Sequence, residues 1–191
     1  KSGVSTELAA FEDLGIIGGG SANNPENEIE ILKSRKIIGN VVDTLNLNIS
    51  YYIKGRAKLI EIYQELPFKL EFLSKDYNRN LNASFIFNPI SDETYEILNE
   101  ELEVLKLVNF TEVNDSNVGE YKLVIDATKK NKFVNEPIYV YLRNRDQVID
   151  NLRGRIRADL ANKNSSVLNL TLVDAKKEKA VAILDELVHQ Y

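Results

Sequence analysis

The sequence predicts one α+β domain, a mixed β-sheet flanked by helices. Three observations lead there: helix-period stretches open and close residues 25–191, period-2 segments fill the middle, and no repeat or long linker interrupts the chain. Residues 1–24 stand apart as a lead-in. A short apolar patch, Leu8 to Leu14, gives way to Gly15, Gly18, Gly19 and Gly20 and then to Ser-Ala-Asn-Asn, a composition of turns and mobile backbone.

The first helix is expected to start with Asn24 as N-cap and Pro25 at its first position, where a missing N–H costs nothing. Glu26 and Glu28 bring negative charge to the positive end of the dipole, and the helix should run to about Leu45. At 100° per residue Ile31, Ile37, Ile38, Val41, Val42 and Leu45 share one face, the stripe that a helix turns to its core. Ile29 and Leu32 project elsewhere, on or beside a second stripe that carries Glu28, Arg35 and Gly39. A second stripe asks for a second partner.

From Asn48 to Thr128 short β-branched or aromatic runs are broken by Gly, Asn, Asp and Pro. Strands are expected at SYYIK near 50, KLIEIY near 60, FKLEFL at 68–73, ASFIF at 83–87, TYEIL at 94–98, EVLKLVNF at 103–110 and EYKLVID at 120–126. The stretch 58–65 fits a helical turn equally well. After Pro137 the strand IYVYL sets Tyr139 and Tyr141 on one face and Ile138, Val140 and Leu142 on the other. Asn144, with Gln147 three residues on, resembles a capping box and opens a helix ending at Gly154. RIRADLA and VLNLTLV read as strands around the polar turn NKNSS. Asp174 then caps a last helix with Ala180, Val181, Leu184, Leu187 and Val188 on its core face.

The 191 residues are 43% hydrophobic and 28% charged, the balance of a folding globular chain. A net charge of −5 and a pI near 5.1 lack the electrostatic footprint of a general nucleic-acid binder. No apolar run reaches the roughly 18–20 residues that cross a bilayer, and the first residues lack the basic and apolar regions of a signal peptide. Absence of Cys removes disulfides, thiolate metal sites and cysteine nucleophiles. With no Met at all, the chain is expected to be a piece of a longer protein. His189 is the only histidine, which removes multi-His metal sites and suits a helix C-terminus better than catalysis.

The remaining candidates for chemistry are weak on mechanism. The glycines at 15–20 do not make a phosphate cradle, because no strand precedes them and no Lys follows before Lys33. No GxGxxG follows a strand. The 29 Asp and Glu include no pair that the sequence isolates from solvated surface charge. Sequons at Asn48, Asn82, Asn109, Asn114, Asn164 and Asn169 matter only in a eukaryotic secretory setting. Tyr51, Tyr52, Tyr63, Tyr139 and Tyr141 could offer aromatic faces to sugar rings, although tyrosine in strands is ordinarily packing. No catalytic residue, cofactor or metal is expected.

The stretch EIEILKSRKIIGNVVDTLNL from Glu28, then SYYIKGR and EIYQELPFKLEF, resembles the periplasmic domain of the chain-length-determinant family of polysaccharide co-polymerases. It is most similar to the branch fused to bacterial capsular and exopolysaccharide tyrosine kinases. The tail RIRADLANKNSSVLNLTLVDAKKEKAVAILDELVHQY resembles that family's strand, strand and helix, so the likeness covers most of residues 26–191. The resemblance implies a domain on the periplasmic side of the bacterial inner membrane, in a protein with one transmembrane helix before Lys1 and another after Tyr191. It implies a homo-oligomeric ring that helps set polysaccharide length, with the membrane polymerase and the lipid-linked glycan as partners. In the kinase-fused branch an ATP-dependent tyrosine autokinase would follow on the cytoplasmic side. The family commonly adds a long helical arm before the second membrane segment, and this chain stops within the helix that would lead to it. Without an arm, subunit contacts fall on the base domain, and Glu28, Ile29, Leu32, Arg35 and Gly39 become the candidate interface, Glu28 pairing with Arg35 across subunits and Gly39 allowing close approach; the equal alternative is that Ile29 and Leu32 cover a loop of the same chain. The alternative function is a carbohydrate-binding module that grips the glycan through Tyr139 and Tyr141.

Overall fold

A computed structural model describes residues 25–74, 79–126, 128–129, 132–162 and 167–191. The lead-in 1–24, its glycines, the expected cap Asn24 and most of the turn NKNSS lie outside these residues. Ten strands and four helices follow one another among the described residues, and the α+β class of the sequence is found.

The expected long first helix is two. Helix α1 spans Pro25–Leu32 and helix α2 spans Arg35–Thr44. Ser34 breaks them: its backbone is extended, and its hydroxyl accepts a hydrogen bond from the Ile37 N–H at 3.3 Å, satisfying a donor that a continuous helix would have used internally. The break resets the angular register. Leu32 is buried, whereas Ile31, expected on the core face, is exposed. Helix α2 ends where Leu45 was expected to end it. Asn46 takes a left-handed φ of 49°, the Leu47 N–H reaches the Val42 carbonyl and the Asn46 N–H the Asp43 carbonyl, which is the Schellman pattern.

The strands are β1 (Ile49–Lys54), β2 (Leu59–Ile62), β3 (Phe68–Phe72), β4 (Ala83–Pro89), β5 (Thr94–Leu98), β6 (Val104–Asn109), β7 (Tyr121–Ile125) and β8 (Ile138–Leu142). Helix α3 (Arg145–Arg155), strands β9 (Arg157–Leu160) and β10 (Leu168–Thr171), and helix α4 (Lys177–Gln190) complete the chain. Six strands form one sheet in the order β2-β1-β8-β4-β5-β6, while β3 pairs with β7 and β9 with β10. Every described pairing is antiparallel, which narrows the expected mixed sheet.

Because strand side chains alternate, the six-stranded sheet has two unlike faces. The inner face, with Tyr51, Val140, Phe85, Phe87, Ile138 and Tyr95, is covered by the β3–β7 ribbon through Phe68, Leu70, Tyr121 and Leu123. This core is aromatic: Phe68 meets Phe87 edge to face at 5.8 Å, and Tyr95 meets Phe110 at 4.9 Å. The outer face carries a row that crosses all six strands, Glu61, Tyr52, Tyr139, Ile86, Leu98 and Val104. A second core lies in the helical layer, where α2 packs against α3 and α4 and the β9–β10 hairpin adds Leu168 and Leu170. The two cores share no residue.

Two local features complete the sheet. Strand β6 is an edge, and Val104, Leu105 and Leu107 along it are each more than half exposed. Leu105 is an extra residue there, since Ile97 pairs with Lys106 and Leu98 with Val104. The β5–β6 turn holds Leu102 at a φ of 64°, a left-handed conformation that costs an L residue roughly 1–2 kcal/mol. Leu102→Gly is therefore expected to raise stability by roughly 0.5–1 kcal/mol, after allowing for the looser unfolded chain. The check is a higher urea midpoint at unchanged slope. A lower midpoint would mean that the Leu102 side chain holds more than the turn costs.

Candidate functional site

A concavity lies at the β2 edge of the sheet, against the helical layer. Alternation in β2 sends Glu61 outward, and helical spacing sets Lys179 one turn before Ile183 on the inner side of α4. The Lys179 ammonium meets the Glu61 carboxylate at 2.5 Å, both side chains about 15% exposed (15% and 14%). Two charges withdrawn this far from water fix geometry more than they add stability, since desolvation offsets much of their attraction. Losing either one would leave its partner charged and nearly buried.

A second ion pair closes the α4 end. Arg155 donates to the Asp174 carboxylate at 2.7 Å and to the Val173 carbonyl, and the Asp174 side chain is 6% exposed. This corrects the expected capping role of Asp174. The N-cap of α4 is Lys176, with no side-chain cap bond, and Asp174 instead accepts from the Lys176 N–H at 3.0 Å. Burial pushes the Asp174 carboxyl up, but the Arg155 and Lys176 hydrogen bonds and the charges of Lys179 and Arg155 outweigh it and hold the group below its ordinary value. Nearby, burial first and then the negative charges of Asp174 and Glu61 raise the Tyr63 hydroxyl.

Two clefts open on either side of the Glu61–Lys179 pair. The larger, about 640 Å³, runs past Asn46, Ile49, Tyr63, Gln64, Lys69 and Glu71. The smaller, about 430 Å³, is floored by Leu47, Leu152 and Ile183 and bounded by Tyr52, Gln147 and Asn151. Leu47, Ser50, Glu61 and Lys179 line both, so the clefts adjoin at the ion pair as two arms of a groove, the larger turning round the β2 edge to Ile49, Tyr51 and Leu70 and the smaller lying on the outer face. Among the described residues no group of three or more His, Asp or Glu could hold a metal ion, and no helix is long and apolar enough to cross a membrane.

The expected interface stripe is largely engaged within its own chain. Leu32 lies in the helical core. Gly39 is buried under α3, and a Cβ there would meet the Arg145 guanidinium at 3.0 Å and Ile149 at 3.5 Å, so its close approach is to α3. Arg35 binds Asp146 and Asp150 of α3, not Glu28. Glu28 and Ile29 are half-buried, and the Glu28 Oε2 atom has no hydrogen-bond partner among the described residues. A second copy seated here would meet Arg35 and the flank of Ile29 without Leu32 or Gly39.

Tyr139 and Tyr141 share the outer face, as their alternation predicts, and both are half-buried. Tyr141 packs against Tyr52 at 5.5 Å with ring planes 75° apart, so these two rings do not make one flat platform. Neither Tyr139 nor Tyr141 lines the groove; Tyr52 does. Glu61, Lys179, Arg143 and Asn151 are groove residues that sequence reasoning passed over, and Gln147 was read only as part of a helix cap. One cue existed, a Lys in register with the buried stripe of Ile183 and Leu187.

Beside the groove, α2 and α3 are clamped by charge. Arg145 grips Asp43 with Nε and Nη2, each at 2.7 Å, and Arg79 adds a contact at 3.1 Å. The Arg145 hydrogen bond, against some desolvation, holds the Asp43 carboxyl below its ordinary value, with the charges of Arg145 and Arg79 assisting. A carboxyl depressed on folding stabilises above its unfolded value, about 3.9, and loses that contribution as pH falls through the folded value. We expect the urea midpoint to fall as pH drops below about 4, and Asp43→Asn to start lower at neutral pH and fall less over the same range. Equal slopes would remove Asp43 from the acid response.

No family model matches the chain, and no curated protein matches it.

Proposed function

We propose that the chain is the extracytoplasmic domain of a membrane-anchored polysaccharide co-polymerase, a non-enzymatic domain that oligomerises and regulates the length and export of a capsular or exopolysaccharide. The observation that carries this reading is the ordered set EIEILKSR, LPF and the terminal AILDEL helix, in the order in which the chain-length-determinant family has them. Each block also sits at a point that the fold depends on. EIEILKSR contains buried Leu32 and the Ser34 break, LPF is buried throughout at the entry to β3, and AILDEL supplies Ile183 and Leu187. A domain tethered at both ends benefits from having helices near its two ends in one layer. Helices α2 and α4 are neighbours here, joined by an Asn40–Gln190 hydrogen bond of 3.1 Å.

On this reading the partners are further copies of the chain, the membrane polymerase and its lipid-linked glycan, and a cytoplasmic tyrosine autokinase would belong to the parent protein. The test is the length distribution of surface polysaccharide on a gel, from cells with the parent gene intact and deleted. A shift in modal length, or loss of the high-mass species, is expected. An unchanged distribution in a strain without a second co-polymerase would overturn the reading.

A further inference from the structure

The smaller arm of the groove has a lining of mixed character. Its floor is apolar, with Leu152 and Ile183 almost wholly buried, and one wall is the half-buried Tyr52 ring. Around the rim stand Gln147 and Asn151, four residues apart on α3 and so on one helix face, and Arg143 just before it. The carboxylates here are already matched: Glu61 to Lys179 and Asp174 to Arg155. The side-chain amides of Gln147 and Asn151, the Tyr52 hydroxyl and the Arg143 guanidinium make no side-chain hydrogen bond or ion pair with the described residues. Four unengaged polar groups thus converge over an apolar floor, in a cleft of about 430 Å³, within the roughly 300–1,000 Å³ of ligand sites.

That pattern selects a class of ligand. A lipid chain would leave the two amides and the guanidinium unpaired, at a cost for each. A sugar ring has an apolar C–H face for Tyr52 and the floor, and hydroxyls at its edge, to which a planar amide can both donate and accept. Arg143 adds one uncompensated positive charge, suited to a carboxylate or another anion on the sugar. The larger arm, which adjoins at the Glu61–Lys179 pair, is lined by Glu65, Glu71 and Asp126 as well as Lys69 and Lys129, so the acidic sugar belongs in the smaller arm beside Arg143.

We propose that this groove binds a saccharide chain bearing acidic groups, with Tyr52 against a ring face, Gln147 and Asn151 on hydroxyls, and Arg143 on a sugar carboxylate. The proposal rests on the co-polymerase reading for its biological setting and names the site at which such a domain would hold its glycan. It differs from a grip through Tyr139 and Tyr141, which lie off the groove.

The experiment is a titration of the isotope-labelled 191-residue chain by two-dimensional NMR with three probes. They are a hexasaccharide of alternating glucuronic acid and N-acetylglucosamine, neutral isomaltohexaose, and a capped β-forming hexapeptide. The acidic sugar is expected to shift amide signals around Tyr52, Arg143, Gln147 and Asn151 and to bind about tenfold tighter than the neutral one. Arg143→Gln should abolish that difference, and Asn151→Leu should weaken both sugars about tenfold. Both residues are exposed, so the unliganded spectra of the variants should keep the wild-type dispersion. No shift with either sugar at millimolar concentration, shifts confined to another surface, or preference for the peptide at the β2 edge would each overturn the proposal. The two readings fail separately. If gene deletion changes polysaccharide length while the chain binds neither sugar, the groove falls and the co-polymerase reading stands. If the chain binds sugar while deletion changes nothing, the reverse holds.

Discussion

Ile183→Asp is expected to abolish the folded helical layer, while Val181→Asp, two residues away, should change stability by no more than about 0.5 kcal/mol. Two helical positions lie 200° apart, and the structure puts them on opposite sides: Ile183 is 1% exposed and Val181 47%. A carboxylate at 183 would lie in the helical core, whose buried members include Ile38, Val42, Leu152 and Leu187, with only the floor of the smaller cleft beside it. Lys179, the nearest cation on the same helix face, is already bound to Glu61. The cost of an unpaired buried charge, on the order of 5 kcal/mol or more, rivals the whole stability of a typical domain. Circular dichroism in urea decides it. A cooperative transition near the wild-type midpoint for Ile183→Asp, or a large loss for Val181→Asp, would show that the face of α4 has been wrongly assigned.

Phe68→Ala is expected to cost about 3–5 kcal/mol and to lower the thermal midpoint by roughly 10 °C in a domain of this length. Phe68 is fully buried and sits among Tyr51, Phe87 and Phe110, with ring centroids 5.8–6.3 Å away. Removing it empties the junction of the ribbon and the sheet. Surrounding rings are held from several sides, so little collapse can fill the space. Because the two cores share no residue, combining Phe68→Ala with Ile183→Ala should give an additive loss, within about 0.5 kcal/mol. A larger coupling would mean that the layers stabilise each other through the outer face of the sheet.

The strands were readable because β-branched and aromatic alternation is a local signal. TYEIL is β5 residue for residue, and even the ambiguous stretch near 60 contains β2, at Leu59–Ile62. Errors arose where two apolar options competed. On α4 the residues Ala180, Ile183, Leu184 and Leu187 and the residues Val181 and Val188 form adjacent apolar arcs. Only the position of α2 chooses the first and leaves Val181 and Val188 exposed. At Ser34 the apolar period resumes with Ile37, so a continuous face hid a cap. Asp174 looked like a cap because Ser, Thr, Asn and Asp before a helix usually are, but Arg155 from the end of α3 competes for it. The groove was legible only in fragments. Glu61 and Lys179 are 118 residues apart, and nothing local pairs them.

The extra residue in β6 has a consequence for solubility. An edge strand with exposed Val104, Leu105 and Leu107 is a template on which other chains can stack, and concentrated protein samples every such edge. Leu105 interrupts the ladder beside Leu98, bends the edge and spoils the flat register that stacking needs. Deleting it would tidy the pairing with β5 and remove an exposed leucine. The resulting protein would nonetheless precipitate sooner, because the irregularity is what keeps the sheet from growing.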